Sequence, residues 1–352
     1  MNKKQIEDLL DWYRLNAREL PWRKNRDAYR IWVSEIMLQQ TRVEAVKPFY
    51  ERFMNRYPEV SALADAEEEE LLKYWEGLGY YNRVRNMQKA AIMVRDAYGG
   101  CMPVTYEVLL KLPGIGPYTA GAIASIAGGE QVPAVDGNVL RVMTRLLGDD
   151  SNISEPATVK AIREKLEGCM PAEAGAFNQA LMELGATVCL PNGEPQCELC
   201  PWKECCRARL EGRIHELPVK SKTRARSIEA KTLILLEGSA GIALHKRPAK
   251  GLLAGMYEFP SLEGHKSEEE VLRCVKEWGY HPLQIRALED YVHIFTHKEW
   301  HMKAFKIRID EIADYRKKDD RNGFFFVDAG EIQINYPLPS AFAPYRKYIE
   351  EV

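Results

Sequence analysis

Among the 51 Asp and Glu residues of this chain, two are set apart by their surroundings. Glu35 lies in Trp32-Val33-Ser34-Glu35-Ile36-Met37-Leu38-Gln39-Gln40-Thr41, a strongly apolar stretch. Desolvation there raises a carboxyl's pKa and favours its protonated form. Asp136 lies in Ala134-Val135-Asp136-Gly137-Asn138-Val139, ahead of a helix expected to begin near Asn138. Free amides and the helix dipole at such a start favour the anion. One carboxyl kept as an acid and one kept as an anion is what glycosidic-bond cleavage needs. Each also has a plainer reading: Glu35 as a surface or paired acid on a helix, Asp136 as a simple N-cap.

Two further constellations carry chemistry. Leu112-Pro113-Gly114-Ile115-Gly116-Pro117-Tyr118-Thr119-Ala120 follows a short helix and opens another. Gly114 and Gly116 permit a tight turn with open backbone, and Pro117 suits a first helical position. The free amides of that helix start make an anion site, suited to a phosphate backbone. The plainer reading is an αα-hairpin without a ligand. Five of the eight cysteines fall between Cys189 and Cys206, and Cys189, Cys197, Cys200 and Cys206 are separated by seven, two and five residues. Four thiolates near the end of a helical domain suit a [4Fe–4S] cluster. Zinc is the rival, but structural zinc sites usually show two close ligand pairs, and only Cys197 and Cys200 are close. Cys101, Cys169 and Cys274 read as buried small hydrophobes.

These residues must be positioned by two kinds of domain. Residues 1–211 are helical by pattern: apolar residues recur at three- and four-residue spacing in Ile6-Leu9-Leu10-Tyr13 and in Val43-Val46-Phe49-Tyr50-Phe53. Pro and Gly punctuate them, with the hairpin unit at 105–127 and the cysteine loop at 189–206. The acids Glu67 to Glu70 read as the solvated first turns of a helix. Residues 212–227 form a polar, basic linker. Residues 228–352 show β-type segments at Thr232 to Leu236, Tyr291 to Phe295 and His301 to Ile309. A helix from a Ser267/Glu270 capping box to Gly279 and a last helix over Pro344 to Ile349 complete a smaller α+β domain.

Composition bounds the function loosely. The 352 residues include 49 Lys and Arg against 51 Asp and Glu, for a formal charge of -2. At 46% hydrophobic and 28% charged, the chain is not globally disordered. Near-neutrality excludes a large uniform basic surface. It does not exclude DNA, since main-chain amides add no charge and the basic groups are local, notably Lys220 to Arg226. No apolar run approaches the ~20 residues of a membrane span, and no apolar signal region follows Met1. The expected location is cytoplasmic, at the nucleoid if the source is a bacterium.

The pairing of Leu-Pro-Gly-x-Gly-x-x-Thr-Ala with Val-Asp-x-Asn-Val resembles the helix-hairpin-helix-Gly/Pro-Asp superfamily of DNA glycosylases. With Leu20-Pro21-Trp22-Arg23, the Trp32 to Thr41 block and Trp75-Glu76-Gly77-Leu78-Gly79-Tyr80-Tyr81, the chain looks like the adenine DNA glycosylases of the MutY type. The resemblance implies that Glu35 protonates a flipped adenine, that Asp136 stabilises the oxocarbenium-like sugar or captures it covalently, and that Asn138 helps hold them. It places Gly114, Gly116 and Thr119 of the hairpin, with Arg23, Gln40, Thr41, Leu78 and Tyr80, against DNA, Gln40 and Tyr80 filling or wedging the base stack. Tyr118 stands where bifunctional relatives of the endonuclease III type carry a Schiff-base lysine, and a phenol forms no imine. Base excision without strand cleavage is therefore implied.

In that family the cysteine spacing is six, two, five; the first loop is one residue longer here, and Cys206 rather than Cys205 fits the last position. Gly251 to Pro260 resembles the start of a Nudix domain, but the next helix, Glu270 to Gly279, lacks most of the metal-binding acids, so no pyrophosphatase is expected. The family reads 8-oxoguanine through a Phe-Ser-His hairpin, matched here by Phe295-Thr296-His297, whose hydroxyl could accept from the N7–H of the oxidised base. Thr adds a methyl and restricts χ1. The expectation is thus a multi-domain, monomeric base-excision repair enzyme. It comprises an all-α helix-hairpin-helix glycosylase domain with an iron–sulfur loop and a smaller α+β Nudix-like domain. Its partner is double-stranded DNA holding adenine opposite 8-oxoguanine or guanine, with no membrane. The rivals are another mismatch glycosylase of the superfamily, such as a thymine or uracil enzyme, and a non-catalytic lesion binder.

Overall fold

The computed structural model describes residues 1–221, 225–310 and 323–349. Residues 222–224 of the expected linker, and 311–322 and 350–352 of the expected second domain, lie outside them. Two compact units divide the chain: Met1–Ala66 with Asn82–Lys222, and Glu67–Tyr81 with Thr223–Val352.

The first unit is helical. It opens with α1 (Lys3–Asn16), α2 (Ala28–Leu38), α3 (Val43–Arg56) and α4 (Val60–Ala64). After an excursion carrying α5 (Glu68–Trp75), it resumes with α6 (Asn82–Tyr98), α7 (Tyr106–Leu109), α8 (Pro117–Ile126) and α9 (Gly137–Leu147). It ends with α10 (Pro156–Glu167), α11 (Ala174–Thr187) and α12 (Arg207–Leu210). Local chemistry sets the starts. Asn2 and Gln5 form a capping box on α1, the Asp27 side chain accepts from Arg30 N ahead of α2, and Pro117 opens α8. Leu9 of α1 packs with Val139, Met143 and Leu146 of α9, Ile162 of α10, and Phe177, Leu181 and Leu184 of α11. Trp202, from the cysteine loop, joins this core and donates through Nε1 to the Gln5 carbonyl at 2.8 Å. A Cβ on Gly185 would stand 2.6 Å from that of Asn138, so only glycine lets α11 approach α9 at this candidate site residue.

The second unit is a mixed sheet. Its strands are β1 (Ser227–Gly238), β2 (Gly241–Lys246), β3 (Tyr257–Glu258), β4 (Ser261–Glu263), β5 (Pro282–Ala287), β6 (Tyr291–Ile294), β7 (Lys298–Ile309) and β8 (Phe324–Val327). The main order is β3-β2-β1-β7-β5, with β4 on β1, β6 on β7 and β8 on β2. The central pair, β1 and β7, runs parallel from Ser227 opposite Lys298 to Glu237 opposite Arg308. The two-residue alternation of β1 divides its apolar side chains between faces. Leu233 and Leu235 pack with Phe259, Trp300, Phe342 and Tyr345; Ile234 and Leu236 pack with Val271 and Val275 of α13 (Glu268–Glu277). A helix α14 (Ala329–Asn335) and a 3-10 helix (Ser340–Tyr348) complete the unit.

Several expectations need correction. The last helix is 3-10 and begins at Ser340 rather than Pro344. The Ser267/Glu270 capping box forms, but its helix ends at Glu277, two residues before Gly279 turns left-handed at φ 90°. Glu69 is not merely solvated, because it accepts from Lys246 Nζ at 2.5 Å and Tyr257 OH at 2.7 Å. Cys101 is exposed, standing just past the Gly99-Gly100 turn that ends α6, and Cys169 and Cys274 are only half-buried. No helix among the described residues is long and apolar enough to cross a membrane.

Candidate active site

Helix α2 is buried continuously from Ile31 to Met37, and Glu35 lies within that stretch at 6% exposure. Burial pushes the Glu35 carboxyl up to about 7, against the pull of a hydrogen bond from Tyr118 and with a further push from Asp136. The Tyr118 hydroxyl donates to Glu35 Oε2 at 2.5 Å and lies 3.2 Å from Met182 Sδ. Burial, then the nearby Glu35 and Asp136, hold that phenol well above its ordinary pKa, so it stays a donor.

Asp136 is the N-cap of α9: Val139 N donates to Oδ1 and Asn138 Nδ2 to Oδ2, each at 2.7 Å. The cap forms as the sequence implies, yet its electrostatic sign is reversed. Burial outweighs these hydrogen bonds, a further one from the Asn138 amide and the charge of Arg141, and raises the Asp136 pKa above its ordinary value, because pattern reading sees the helix dipole but not the loss of water.

Glu35, Tyr118, Asp136 and Asn138 line one cleft of about 1530 Å³ with Arg18, Arg23 and Glu183. Glu183 was not singled out by the sequence. Its side chain is fully buried on α11, and it accepts from Arg18 Nε at 2.6 Å and from Arg23 at 2.8 Å. Burial pushes its carboxyl up, but the two guanidiniums more than offset this and leave it below the ordinary range. Arg23, expected against DNA, is thus tied to this buried carboxylate and lies 5.6 Å over the Tyr13 ring.

The remaining candidates spread over both units. Gly114 takes φ 77°, and a Cβ there would stand 2.7 Å from that of Asn86. Gly116 caps α8 with no side-chain bond to the helix start. Thr119 is buried at 2%, facing the protein rather than solvent, and Leu78 at 5% likewise. Thr41 is half-buried with its hydroxyl 3.4 Å from the Gln39 carbonyl. Gln40 is exposed at φ 58°, a conformation that side chains other than glycine adopt at a cost. Arg83 closes the turn before it, donating to the carbonyls of Ile36 at 2.7 Å and Gln39 at 2.6 Å. In the sheet unit, Tyr80 (φ 48°) bonds through its hydroxyl to Thr296 Oγ1 at 2.6 Å. The Phe295 ring packs edge-on against Trp300 at 4.9 Å, and the His297 carbonyl accepts from Ser227 N at 3.1 Å.

The cysteine loop reaches the site through Arg141. Its guanidinium donates to the Cys189 carbonyl at 2.7 Å, the Gly185 carbonyl at 2.7 Å and Asn138 Oδ1 at 2.9 Å. Arg145 donates to Cys189 Sγ at 3.3 Å. Burial, with a smaller push from Cys189, Cys206 and Cys197, raises the Cys200 thiol to about 12. Among the described residues no three His, Cys, Asp or Glu side chains stand close enough to hold a single metal ion. Cys205 is exposed and accepts from Gln5 Nε2 at 3.5 Å.

Two family models match this arrangement. Residues 33–170 match the HhH-GPD superfamily of base excision DNA repair proteins, and residues 231–348 match the NUDIX domain. Solved structures agree for the helical part. A thermostable thymine-DNA glycosylase superposes with a TM-score of 0.54 at 31% identity, over 60% of this chain and 98% of its own. An endonuclease III trapped as a covalent intermediate on DNA gives 0.51 at 27%, over 60% and 99%. The molecule is therefore a helix-hairpin-helix DNA glycosylase joined to a Nudix-like domain. An adenine DNA glycosylase of Buchnera aphidicola (subspecies Acyrthosiphon pisum) is 31% identical over 344 residues, 97% of each chain. The human adenine DNA glycosylase is 38% identical over 82% of this chain and 64% of its own length. This chain belongs to the adenine DNA glycosylase family.

Proposed function

We propose that the protein is a monofunctional glycosylase that excises adenine paired with 8-oxoguanine or with guanine in duplex DNA. The observation that carries the reading is the pair of unlike carboxyls in one cleft. Glu35, with a pKa near neutrality, is the general acid, and its proton passes to a ring nitrogen of the extruded adenine. The N-glycosidic bond breaks with its electron pair leaving on the base, and water adds to the sugar carbon that remains, the proton it sheds restoring the carboxylic acid. Asp136, fixed by Val139 N and Asn138, faces the positive charge that develops there. A cation close to it favours its ionised form, against the burial that raises its pKa. DNA as partner is supported by the likeness to a glycosylase solved on DNA and by the uncapped amides at Gly116.

Cys189, Cys197, Cys200 and Cys206 would hold a [4Fe–4S] cluster. Their fit rests on the chemistry of the donor set, four thiols in one loop at the end of the helical unit, and on the Arg145 guanidinium beside Cys189. The cluster, when bound, supplies an anionic cross-link between segments of the loop; the residues of the cleft carry the chemistry.

A panel of duplexes differing in one base pair, assayed for the base released, tests the substrate. Adenine is expected from pairs with 8-oxoguanine and guanine. Release of thymine or uracil from mismatches instead would overturn the reading. Because Tyr118 offers no amine, borohydride should trap no covalent enzyme–DNA adduct; efficient trapping would show an imine and refute monofunctional action. The exposed Thr296 in the hairpin between β6 and β7, whose hydroxyl bonds to that of Tyr80, supports the 8-oxoguanine assignment. Replacing Thr296 and His297 together by Ala should narrow the preference for 8-oxoguanine over guanine roughly tenfold, the scale of one hydrogen bond. An unchanged ratio would move recognition elsewhere.

A further inference from the structure

Between α4 and α6 the chain leaves the helical unit, and residues Glu67–Tyr81 pack as part of the sheet unit. Charged contacts tie this excursion down near both ends. Near its start Glu69 is held by Lys246 and Tyr257. Near its end the Glu76 side chain, 11% exposed, pairs with Arg346 of the 3-10 helix and with Lys73 Nζ at 3.0 Å. Lys73 also donates to the Tyr336 carbonyl at 3.2 Å, and Arg346 to the Leu338 carbonyl at 2.9 Å. Two stretches of chain, the end of α5 and the 3-10 helix, thus meet at one largely buried carboxylate, and its two cations reach on to the carbonyls at 336 and 338. Such a pair differs from a fully exposed salt bridge, because the anion itself is largely buried and its removal leaves two neighbouring cations, Lys73 at 18% and Arg346 at 36% exposure, without a counter-charge.

Immediately after Glu76 the chain makes a turn that needs holding. Gly77 (φ 103°), Gly79 (φ 68°) and Tyr80 (φ 48°) are all left-handed, and Tyr80 is the one for which that costs energy. Its ring is 49% exposed, so packing alone does not fix it. Hydrogen bonds hold the turn, among them Leu78 N to Trp75 O at 3.1 Å, Trp75 Nε1 to Gly79 O at 3.0 Å, and the Tyr80 hydroxyl with Thr296 at 2.6 Å. They depend on where α5 ends, and that end is held by the buried Trp75 and by the ion pairs of Glu76.

We propose that Glu76, clamped by Arg346 and Lys73, is a positioning residue that holds Tyr80 against Thr296 and so sets the discrimination of the base opposite adenine. The inference rests on the proposal that the Phe295–His297 hairpin reads 8-oxoguanine. The C-terminal 3-10 helix, remote in sequence from every candidate site residue of the helical unit, thereby becomes part of lesion selectivity.

The test compares full-length wild type, Glu76→Gln, Arg346→Gln and Arg346→Lys. Single-turnover adenine release is measured from duplexes with 8-oxoguanine or guanine opposite adenine, alongside thermal midpoints and hydrogen exchange of the 77–81 amides. Glu76→Gln and Arg346→Gln are expected to cut the preference ratio roughly three- to tenfold, the loss falling on the 8-oxoguanine duplex, with faster exchange at 77–81. Arg346→Lys, which keeps the charge, should retain most of the preference. If Glu76→Gln fails to fold, the comparison of Arg346→Gln with Arg346→Lys decides alone. Folded variants with unchanged ratios, beside a wild type that discriminates, overturn the clamp only. A wild type without preference overturns the hairpin reading and this inference with it.

Discussion

Glu35→Gln is expected to lower single-turnover adenine release between roughly a hundredfold and ten-thousandfold, the usual worth of a positioned general acid, while leaving duplex binding intact. The same substitution should stabilise the protein at pH 8. Burial moves this carboxyl from an ordinary 4.5 to about 7, a difference of roughly 3 kcal/mol between its protonation states. Because the folded-state pKa is the raised one, the associated stability is fully present below pH 4.5 and is lost as pH rises through 7. Glutamine keeps a carbonyl oxygen to accept from Tyr118 and never has to ionise. Thermal unfolding should therefore show wild type and Glu35→Gln alike near pH 4.5, with the variant more stable at pH 8. In the wild type, adenine release should decline as pH rises through about 7, tracking the loss of the proton. A variant with near-wild-type release, or a rate that climbs through this range, would remove Glu35 as the acid.

That pKa also marks how far the sequence could be read. An acid inside Trp32 to Leu38 is visible as an anomaly in a single string of residues, and the helix buries it as expected. The hairpin is equally local: two glycines and a proline specify their own turn, and α7 and α8 flank it. Glu183 shows the limit. It too is an acid in an apolar helix, and that signal was available in Phe177 to Ala186. Its partners Arg18 and Arg23 lie about 160 positions away, however, and no spacing rule pairs them. The excursion 67–81 fails for a similar reason. Its periodicity and acidic first turn resemble those of neighbouring helices, and only its packing partners, supplied by the last third of the chain, assign it to the sheet unit. Asp136 fails in sign rather than in place. Capping is written in the local sequence, whereas desolvation is set by everything folded around it.

Arg141→Met is expected to damage stability and catalysis together, since one guanidinium serves two structures. At 4% exposure it satisfies the carbonyls of Cys189 and Gly185 and the side-chain oxygen of Asn138. Methionine fills much of the volume but leaves these acceptors, and the more distant Gly137 carbonyl at 3.4 Å, without this donor, at about 1–3 kcal/mol for each one kept from water. Removing a buried cation returns part of that, because burial already opposes its charge and lowers its pKa. A net loss of roughly 2–4 kcal/mol in denaturant unfolding is the expected balance. The catalytic effect comes through Asn138. Released from Arg141, its side chain no longer presents Nδ2 to Asp136 Oδ2 in a fixed orientation, and the Asp136 carboxylate keeps only the backbone amides of Val139 and Asn138. A misplacement of this kind costs about a hundredfold in rate, so release should fall by that order even where the variant is fully folded. Arg141→Lys keeps the charge, but a single ammonium cannot span the acceptors that a planar fork reaches, so it should resemble Met in rate more than in stability. Single-turnover release measured well below the unfolding midpoint separates the two effects. A folded Arg141→Met enzyme within threefold of wild type would show that Asp136 is oriented without this network.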